Sequence, residues 1–314
     1  MYRGRFAPSP TGDLHLGSAA TALLTWLSAR AVGGRLVLRV EDVDRPRVVA
    51  GIEARQLDEL RWLGLDWDEG PDVGGPHAPY RQSERGDRYE AALATLAAKD
   101  LLYYCDCSRA EIALVGSAPH AGEDGPRYPG TCAGYGLRER DWKRPPAVRL
   151  RVPTRTIRVV DRLQGPIEQD VAAAVGDFVL KRGDGIYAYQ LACVVDDLTM
   201  GITEVVRGAD LLSSTPRQVL LADLLDGTPP AFAHVPLVVA PDGRRLAKRA
   251  QGISLRDHRE RGTPAGEVVA ALARMLGLPG RETPSALLDE FDRARLAGVR
   301  ELRAPATLGA IDVG

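Results

Sequence analysis

Arg5-Phe6-Ala7-Pro8-Ser9-Pro10-Thr11-Gly12-Asp13-Leu14-His15-Leu16-Gly17-Ser18 is the stretch that decides the fold of this chain. It predicts a strand, a stiff loop and the start of a helix. Pro8 and Pro10 restrict φ, and Gly12 and Gly17 allow turns and close approach of a ligand. From Gly17 and Ser18 onward, Ala20, Leu23, Leu24, Leu27 and Ala31 recur at helical spacing. A helix start offers free N–H groups and the positive end of a dipole, which suits a phosphate. His15 stands beside it with a ring able to donate to phosphoryl oxygens. A histidine on its own is commonplace on surfaces and in cores; the block around it gives it weight.

Downstream, Leu36-Val37-Leu38-Arg39-Val40 predicts a second strand, ending at Glu41. A helix follows with Ile52, Leu57, Leu60 and Leu63 toward one face, and another with Tyr89, Ala92, Leu93 and Leu96 as a buried stripe. This alternation predicts an α/β fold with a parallel sheet of Rossmann type and helices on both faces. Ligands bind such sheets beyond the carboxyl ends of the strands, where the opening motif and Glu41 both fall. From residue 101 to 185 cysteines, prolines, glycines and strand-like runs appear, as in Ala147–Val152 and Thr156–Val160, and these predict an insertion. Apolar strand rhythm then resumes through Leu191-Ala192-Cys193-Val194-Val195 and Val235-Pro236-Leu237-Val238-Val239. The tail predicts helix, with Val268, Val269, Leu272, Met275 and Leu276 on one face. The expected units are residues 1–100 and 186–250 as two halves of a catalytic domain, 101–185 as the insertion, and 251–314 as a short helical region.

The chain has 314 residues, 45% of them hydrophobic, and this excludes global disorder. Its 41 basic and 42 acidic residues leave a net charge of −1, so a nucleic-acid partner requires a local basic patch. Lys99, Lys143, Lys181 and Lys248 stand out among a basic set dominated by arginine. No apolar run is long enough for a bilayer and no signal peptide precedes the opening motif. The four cysteines, two of them separated by one residue, suit a reducing cytoplasm better than a disulfide framework.

Asp242-Gly243-Arg244-Arg245-Leu246-Ala247-Lys248-Arg249 follows a strand; Asp-Gly marks a tight turn and cations come directly after it. Cys105-Asp106-Cys107 and, further on, Tyr128-Pro129-Gly130-Thr131-Cys132 place three thiols in one insertion, the makings of a tetrahedral site. His120 is the ordinary chemical candidate for a fourth ligand.

Together these motifs resemble the class I aminoacyl-tRNA synthetases, in the form used by the glutamyl branch. His15-Leu16-Gly17-Ser18 is similar to the HIGH signature with Ser18 in the last place. Arg245-Leu246-Ala247-Lys248 is similar to the KMSKS loop, with Ala247 in place of a serine and Arg245 in place of a lysine. The resemblance implies His15 and Lys248 as catalytic groups clamping the triphosphate, with Gly17, Ser18 and Arg245 also on ATP and Mg²⁺ riding on the nucleotide. Cations there meet charge that accumulates only in the transition state. The resemblance also implies a glutamate pocket of Arg5, Phe6, Ala7, Pro8, Ser9, Glu41, Tyr189 and Arg207. Guanidinium groups suit the side-chain carboxylate and Glu41 suits the α-ammonium. Cys193 is expected to be a small buried hydrophobe near that pocket.

A CxC followed by YxxxC resembles the glutamyl-Q tRNA(Asp) synthetases, a family of shortened glutamyl-tRNA synthetase paralogues. That resemblance implies structural Zn²⁺ on Cys105, Cys107, Tyr128 and Cys132, and no anticodon-binding domain. It implies a monomeric cytoplasmic enzyme that forms glutamyl-adenylate and transfers glutamate to queuosine in the anticodon of tRNA(Asp). The alternatives are a compact enzyme charging tRNA(Glu) and a non-catalytic tRNA-binding module.

Overall fold

In the computed structural model the described residues are 1–108, 110–112, 127–239, 254–292, 294, 297, 299 and 301–303. The elements run β1 (Arg3–Phe6), α1 (Leu16–Arg30), β2 (Arg35–Leu38), α2 (Ile52–Trp62), α3 (Gly86–Ala98) and β3 (Leu102–Cys105). There follow β4 (Ala147–Leu150), β5 (Thr156–Asp161), β6 (Gly165–Asp170), a single turn α4 (Val171–Ala174), β7 (Val179–Lys181), α5 (Tyr189–Thr199) and β8 (Glu204–Gly208). The last are α6 (Thr215–Leu224), β9 (Ala231–Val235), β10 (Leu237–Val239), α7 (Leu255–Glu260), α8 (Ala265–Met275) and β11 (Glu301–Arg303).

The central sheet is parallel with order β2-β1-β8-β9. Its side chains alternate between two cores, as the period of a strand requires. Phe6, Leu36, Leu38, Val206, Ala233 and Val235 join α1 and α8 on one face. Val37, Val205 and Phe232 join α3, α5 and α6 on the other. The β1–β2 and β8–β9 pairs leave the centre in opposite directions, so the sheet has its topological switch point between β1 and β8. Between the two halves, β3-β4-β7 form an antiparallel sheet and β5-β6 a hairpin.

Two expected strands differ. Leu191–Val195 lies inside the helix α5 rather than in a strand. An unbroken apolar run fits either element, and here Leu191 through Asp197 are all buried, so no polar face marks the helical period. The run Val235–Val239 is divided at Pro236, which lacks an N–H to donate; β9 belongs to the central sheet and β10 pairs instead with β11. The expected helical tail is present as α7 and α8, with β11 added after them.

Candidate active site

A cavity of about 590 Å³ lies at the carboxyl ends of the four parallel strands. Each strand end contributes a wall: Phe6–Ser9 after β1, Glu41 after β2, Gly208 and Leu211 after β8, Pro236–Val238 after β9. All the expected pocket residues of the opening motif line it, together with Glu41, Tyr189 and Arg207.

His15 takes the cap position of α1 in extended conformation without a side-chain capping bond, and no acidic residue occupies the first turn. The positive end of the helix therefore faces the cavity with no acidic residue in its own first turn. Burial lowers the His15 pKa below its ordinary value, so the ring is neutral at pH 7, and its Nδ1 is buried without a partner among the described residues. Neither Gly12 nor Gly17 has a positive φ. A side chain at Gly12 would meet no protein atom within 4 Å, so the space beside it is open to a ligand. Below the loop, Glu59 of α2 has both carboxylate oxygens buried and no partner among the described residues. Burial pushes it up to about 7, against the pull of the nearby Leu14 amide.

Arg245, Ala247 and Lys248 lie outside the described residues, as does His120. One flank of the second motif lines the cavity, and the other contacts the residues of its wall. Val238 lines it and sits 3.4 Å from where a Cβ on Gly17 would be. Ser254 makes a β-bridge with His15, and the Leu255 N–H donates to the Leu14 carbonyl at 2.9 Å.

The amino-acid end has two differently built walls. On one, Arg5 and Arg39 share Asp197 of α5: Arg39 Nη1 donates to its Oδ1 at 2.6 Å and Arg5 Nε lies 3.4 Å from the same atom. Arg39 Nη2 also donates to Glu41 Oε1 at 3.0 Å. Burial opposes these charges, but Asp197 together with Cys193 and Glu41 outweighs it, so both guanidinium groups are held above their ordinary pKa. Burial raises Asp197 in turn, and Arg39 and Arg5 more than offset this, leaving it below the usual carboxylate range. Cys193 is fully buried beneath this wall, and burial pushes its thiol up to about 12, which fits the expected packing role.

On the other wall stands Arg207, only 4% exposed. Its Nε donates to His234 Nε2 at 3.0 Å, Nη1 to Gln218 Oε1 at 2.6 Å, and Nη2 to Thr215 Oγ1 at 2.9 Å. Tyr189 Oη lies 3.5 Å from Nη1. Every one of these partners is neutral. A buried guanidinium held only by neutral groups is arranged to receive an anion.

Arg39, Asp197, Gln218, Thr215 and His234 were not among the expected site residues. A signal existed for some of them. Arg207 and His234 are cross-strand partners, and Arg5 pairs with Val37, two residues before Arg39. Alternation along each strand puts all four polar groups on one sheet face. Asp197 had no such signal, because its helix read as a strand.

The thiols of Cys105, Cys107 and Cys132 lie within 4.8 Å of one another. Cys107 Sγ and Cys132 Sγ are 3.5 Å apart, and Tyr128 Oη is 3.3 Å from Cys105 Sγ and 3.9 Å from Cys107 Sγ. Donors on a tetrahedral ion with bonds near 2.3 Å sit about 3.8 Å apart, so this set fits one metal ion. Asp106 lies beside it: its carboxylate accepts from Arg140 Nη2 at 2.6 Å and the Lys143 N–H at 3.1 Å, and its Oδ1 is 3.9 Å from Cys132 Sγ. A second cavity of about 710 Å³ runs from Ser9, Glu41 and Tyr189 of the first to Cys107.

The strand-end cavity, the helix start beside His15 and the paired arginine walls belong to one class of protein. The family described as tRNA synthetases class I (E and Q), catalytic domain, matches residues 1–291, and the chain belongs to that family. It is 49% identical to the glutamyl-Q tRNA(Asp) synthetase of Symbiobacterium thermophilum, with 100% of this chain and 99% of that one covered. It is 50% identical to the glutamyl-Q tRNA(Asp) synthetase of Nocardia farcinica, over 93% of this chain and 90% of that one. Its fold is similar to the crystal structure of glutamate-tRNA synthetase from Elizabethkingia anophelis, with TM-score 0.84 and 30% identity, covering 98% of this chain and 68% of that one.

Proposed function

We propose that this chain is a ligase that joins L-glutamate to ATP, giving glutamyl-adenylate and pyrophosphate, and then passes the glutamyl group to a hydroxyl of the queuosine cyclopentenediol in the anticodon of tRNA(Asp). The observation that carries the first step is Arg207, a buried cation with neutral partners at the end of the strand-end cavity. Glutamate supplies the carboxylate that this group lacks. In the same reading Arg5, Phe6, Ala7, Pro8, Ser9, Glu41 and Tyr189 complete the amino-acid pocket, and Glu41 takes the α-ammonium.

ATP then lies along His15, Gly17, Ser18 and the start of α1, with Mg²⁺ on its phosphates. Arg245 and Lys248 close over it from the second motif, one flank of which, Val238, lines the cavity while the other, Ser254, bridges to His15. His15 and Lys248 stabilise the charge that grows on the α-phosphate and on the departing pyrophosphate. The second cavity, continuous with the first through Ser9, Glu41 and Tyr189, is the space for the modified base. The names of the relatives at 49–50% identity support tRNA(Asp) as the acceptor.

In this reading Cys105, Cys107, Tyr128 and Cys132 hold Zn²⁺. The ion is structural, because four protein donors leave no place for a water. It ties the end of β3 to the segment around Cys132, within an insertion over 101–185 that separates the halves 1–100 and 186–250.

Pyrophosphate exchange with each amino acid, run without tRNA, tests the activation step; glutamate alone should support it. Transfer of labelled glutamate to tRNA(Asp) with and without queuosine tests the acceptor. Transfer to tRNA(Glu) alone would replace this reading by that of a compact glutamyl-tRNA synthetase. For the metal, about one zinc per chain is expected, and a folded protein without it would remove the assignment.

A further inference from the structure

Arg207 is one end of a buried chain that the reaction as proposed leaves unused. His234 of β9, with no exposed surface, faces Arg207 with Nε2, which also lies 3.2 Å from Thr215 Oγ1, and Asp161 with Nδ1; the Nδ1 to Oδ2 distance is 2.6 Å. Asp161 is the last residue of β5, in the hairpin of the inserted segment. Its other oxygen, Oδ1, accepts the backbone N–H groups of Leu163 at 3.0 Å, Gln164 at 2.8 Å and His234 at 3.1 Å.

These contacts fix the proton on His234. Arg207 Nε always carries hydrogen, so His234 Nε2 must be the bare lone pair that accepts it. Nδ1 then carries the hydrogen and donates to Asp161. A protonated imidazole would lose the bond to Arg207 and place two cations in contact. Burial lowers the His234 pKa, and Arg207 adds to this against the pull of Asp161, so the ring is neutral at pH 7.

We propose that Asp161, acting through the tautomer of His234, is the positioning residue that holds Arg207 ready for a carboxylate and so sets the preference for glutamate over glutamine. This rests on the reading of Arg207 given above. It links specificity for the amino acid to a hairpin that does not line the cavity. Neutral direct partners keep the charge of Arg207 unspent, with the Asp161 carboxylate one histidine removed, and a carboxamide ligand offers less to it than a carboxylate.

Asp161→Asn tests the relay. The three backbone N–H groups hold the amide oxygen where Oδ1 is, so the NH₂ must face Nδ1. His234 then shifts its hydrogen to Nε2, which confronts Arg207 Nε–H with a second donor. The direct readout is ¹⁵N NMR of the histidine rings, with His234→Gln to assign the signal. The wild-type chain should show bare Nε2 and protonated Nδ1, and Asp161→Asn the reverse.

In pyrophosphate exchange, Asp161→Asn should raise the KM for glutamate by about ten- to a hundredfold, the scale of one hydrogen bond to a charged group. It should narrow the preference over glutamine by a similar factor and leave the KM for ATP within about twofold. His234→Gln can present an amide oxygen to Arg207 without any tautomer. Adding Asp161→Asn to that variant should therefore cost little more. An unchanged tautomer in Asp161→Asn, a parallel rise in both KM values, or an undiminished cost in the His234→Gln background would each overturn the relay. Absence of glutamate-dependent exchange in the wild-type chain would instead overturn the functional reading on which the relay's role in specificity depends.

Discussion

The two walls at the amino-acid end of the cavity use the same side chain in opposite ways. Arg5 and Arg39 are packed against Asp197 and Glu41, so their charge is spent within the protein. Arg207 is equally buried, yet histidine, glutamine and threonine hold it, so its charge is left for whatever enters. The lesson is that burial alone does not mark a binding arginine. The charge of its partners does. Glu59 is the converse case: a buried carboxyl with no cation in direct contact, which meets the same cost by keeping its proton up to about pH 7.

Arg39→Met is the severest challenge to the first wall. It leaves Glu41 without its guanidinium and Asp197 with only the longer contact to Arg5, and should cost about 3–5 kcal/mol of stability, seen as a lower urea midpoint. A midpoint within experimental error of wild type would show that this wall is not built on paired charge. Arg207→Ala addresses the second wall and should appear mainly in function. The expected loss in kcat/KM for glutamate exchange is on the order of a thousandfold, the scale of removing one member of a buried charge pair. If the loss were the same for ATP binding as for glutamate, Arg207 would be a scaffold like Arg39.

Lys248→Ala extends the comparison to the nucleotide end. Adenylate formation should fall on the order of a hundredfold, as for one donor that acts in the transition state. Unchanged exchange would detach the second motif from the cavity that its Val238 flank lines. The smallest effect belongs to Glu59→Gln. A carboxyl whose folded pKa is raised favours the native state fully below its unfolded pKa of about 4.5, and that advantage is lost as pH rises through about 7. Relative to wild type, Glu59→Gln should therefore gain stability between pH 5 and pH 8, by about 1 kcal/mol or more. Urea midpoints of the two proteins across that range check the sign; a gap that stays constant with pH would mean Glu59 is ionised throughout.

Much of the site was legible because it is local. The opening motif keeps its strand, loop and helix start within one continuous stretch, and Arg5, Ser9, His15 and Gly17 all meet the cavity directly. The three thiols were legible from spacing, since short intervals constrain where side chains meet; Tyr128 came only from the family resemblance, and ordinary ligand chemistry by itself pointed to His120. Asp197 was missed because a wholly apolar run carries no periodic signal, and the helix that bears it read as a strand. His234 and Asp161 were missed because their meaning depends on partners far along the chain: 27 residues separate His234 from Arg207 and 73 separate it from Asp161.

The sequence by itself determined the chemical inventory: which stretch starts a helix beside a ligand, which residues can hold a metal, and which cations and acids are available. Only the tertiary structure decided which of those charges cancel. Pairing is a property of distance and dielectric, and both are set when the parallel strands and the hairpin come together around the cavity. Arg5, Arg39 and Arg207 are one residue type in sequence, and folding alone leaves the last of them facing neutral partners.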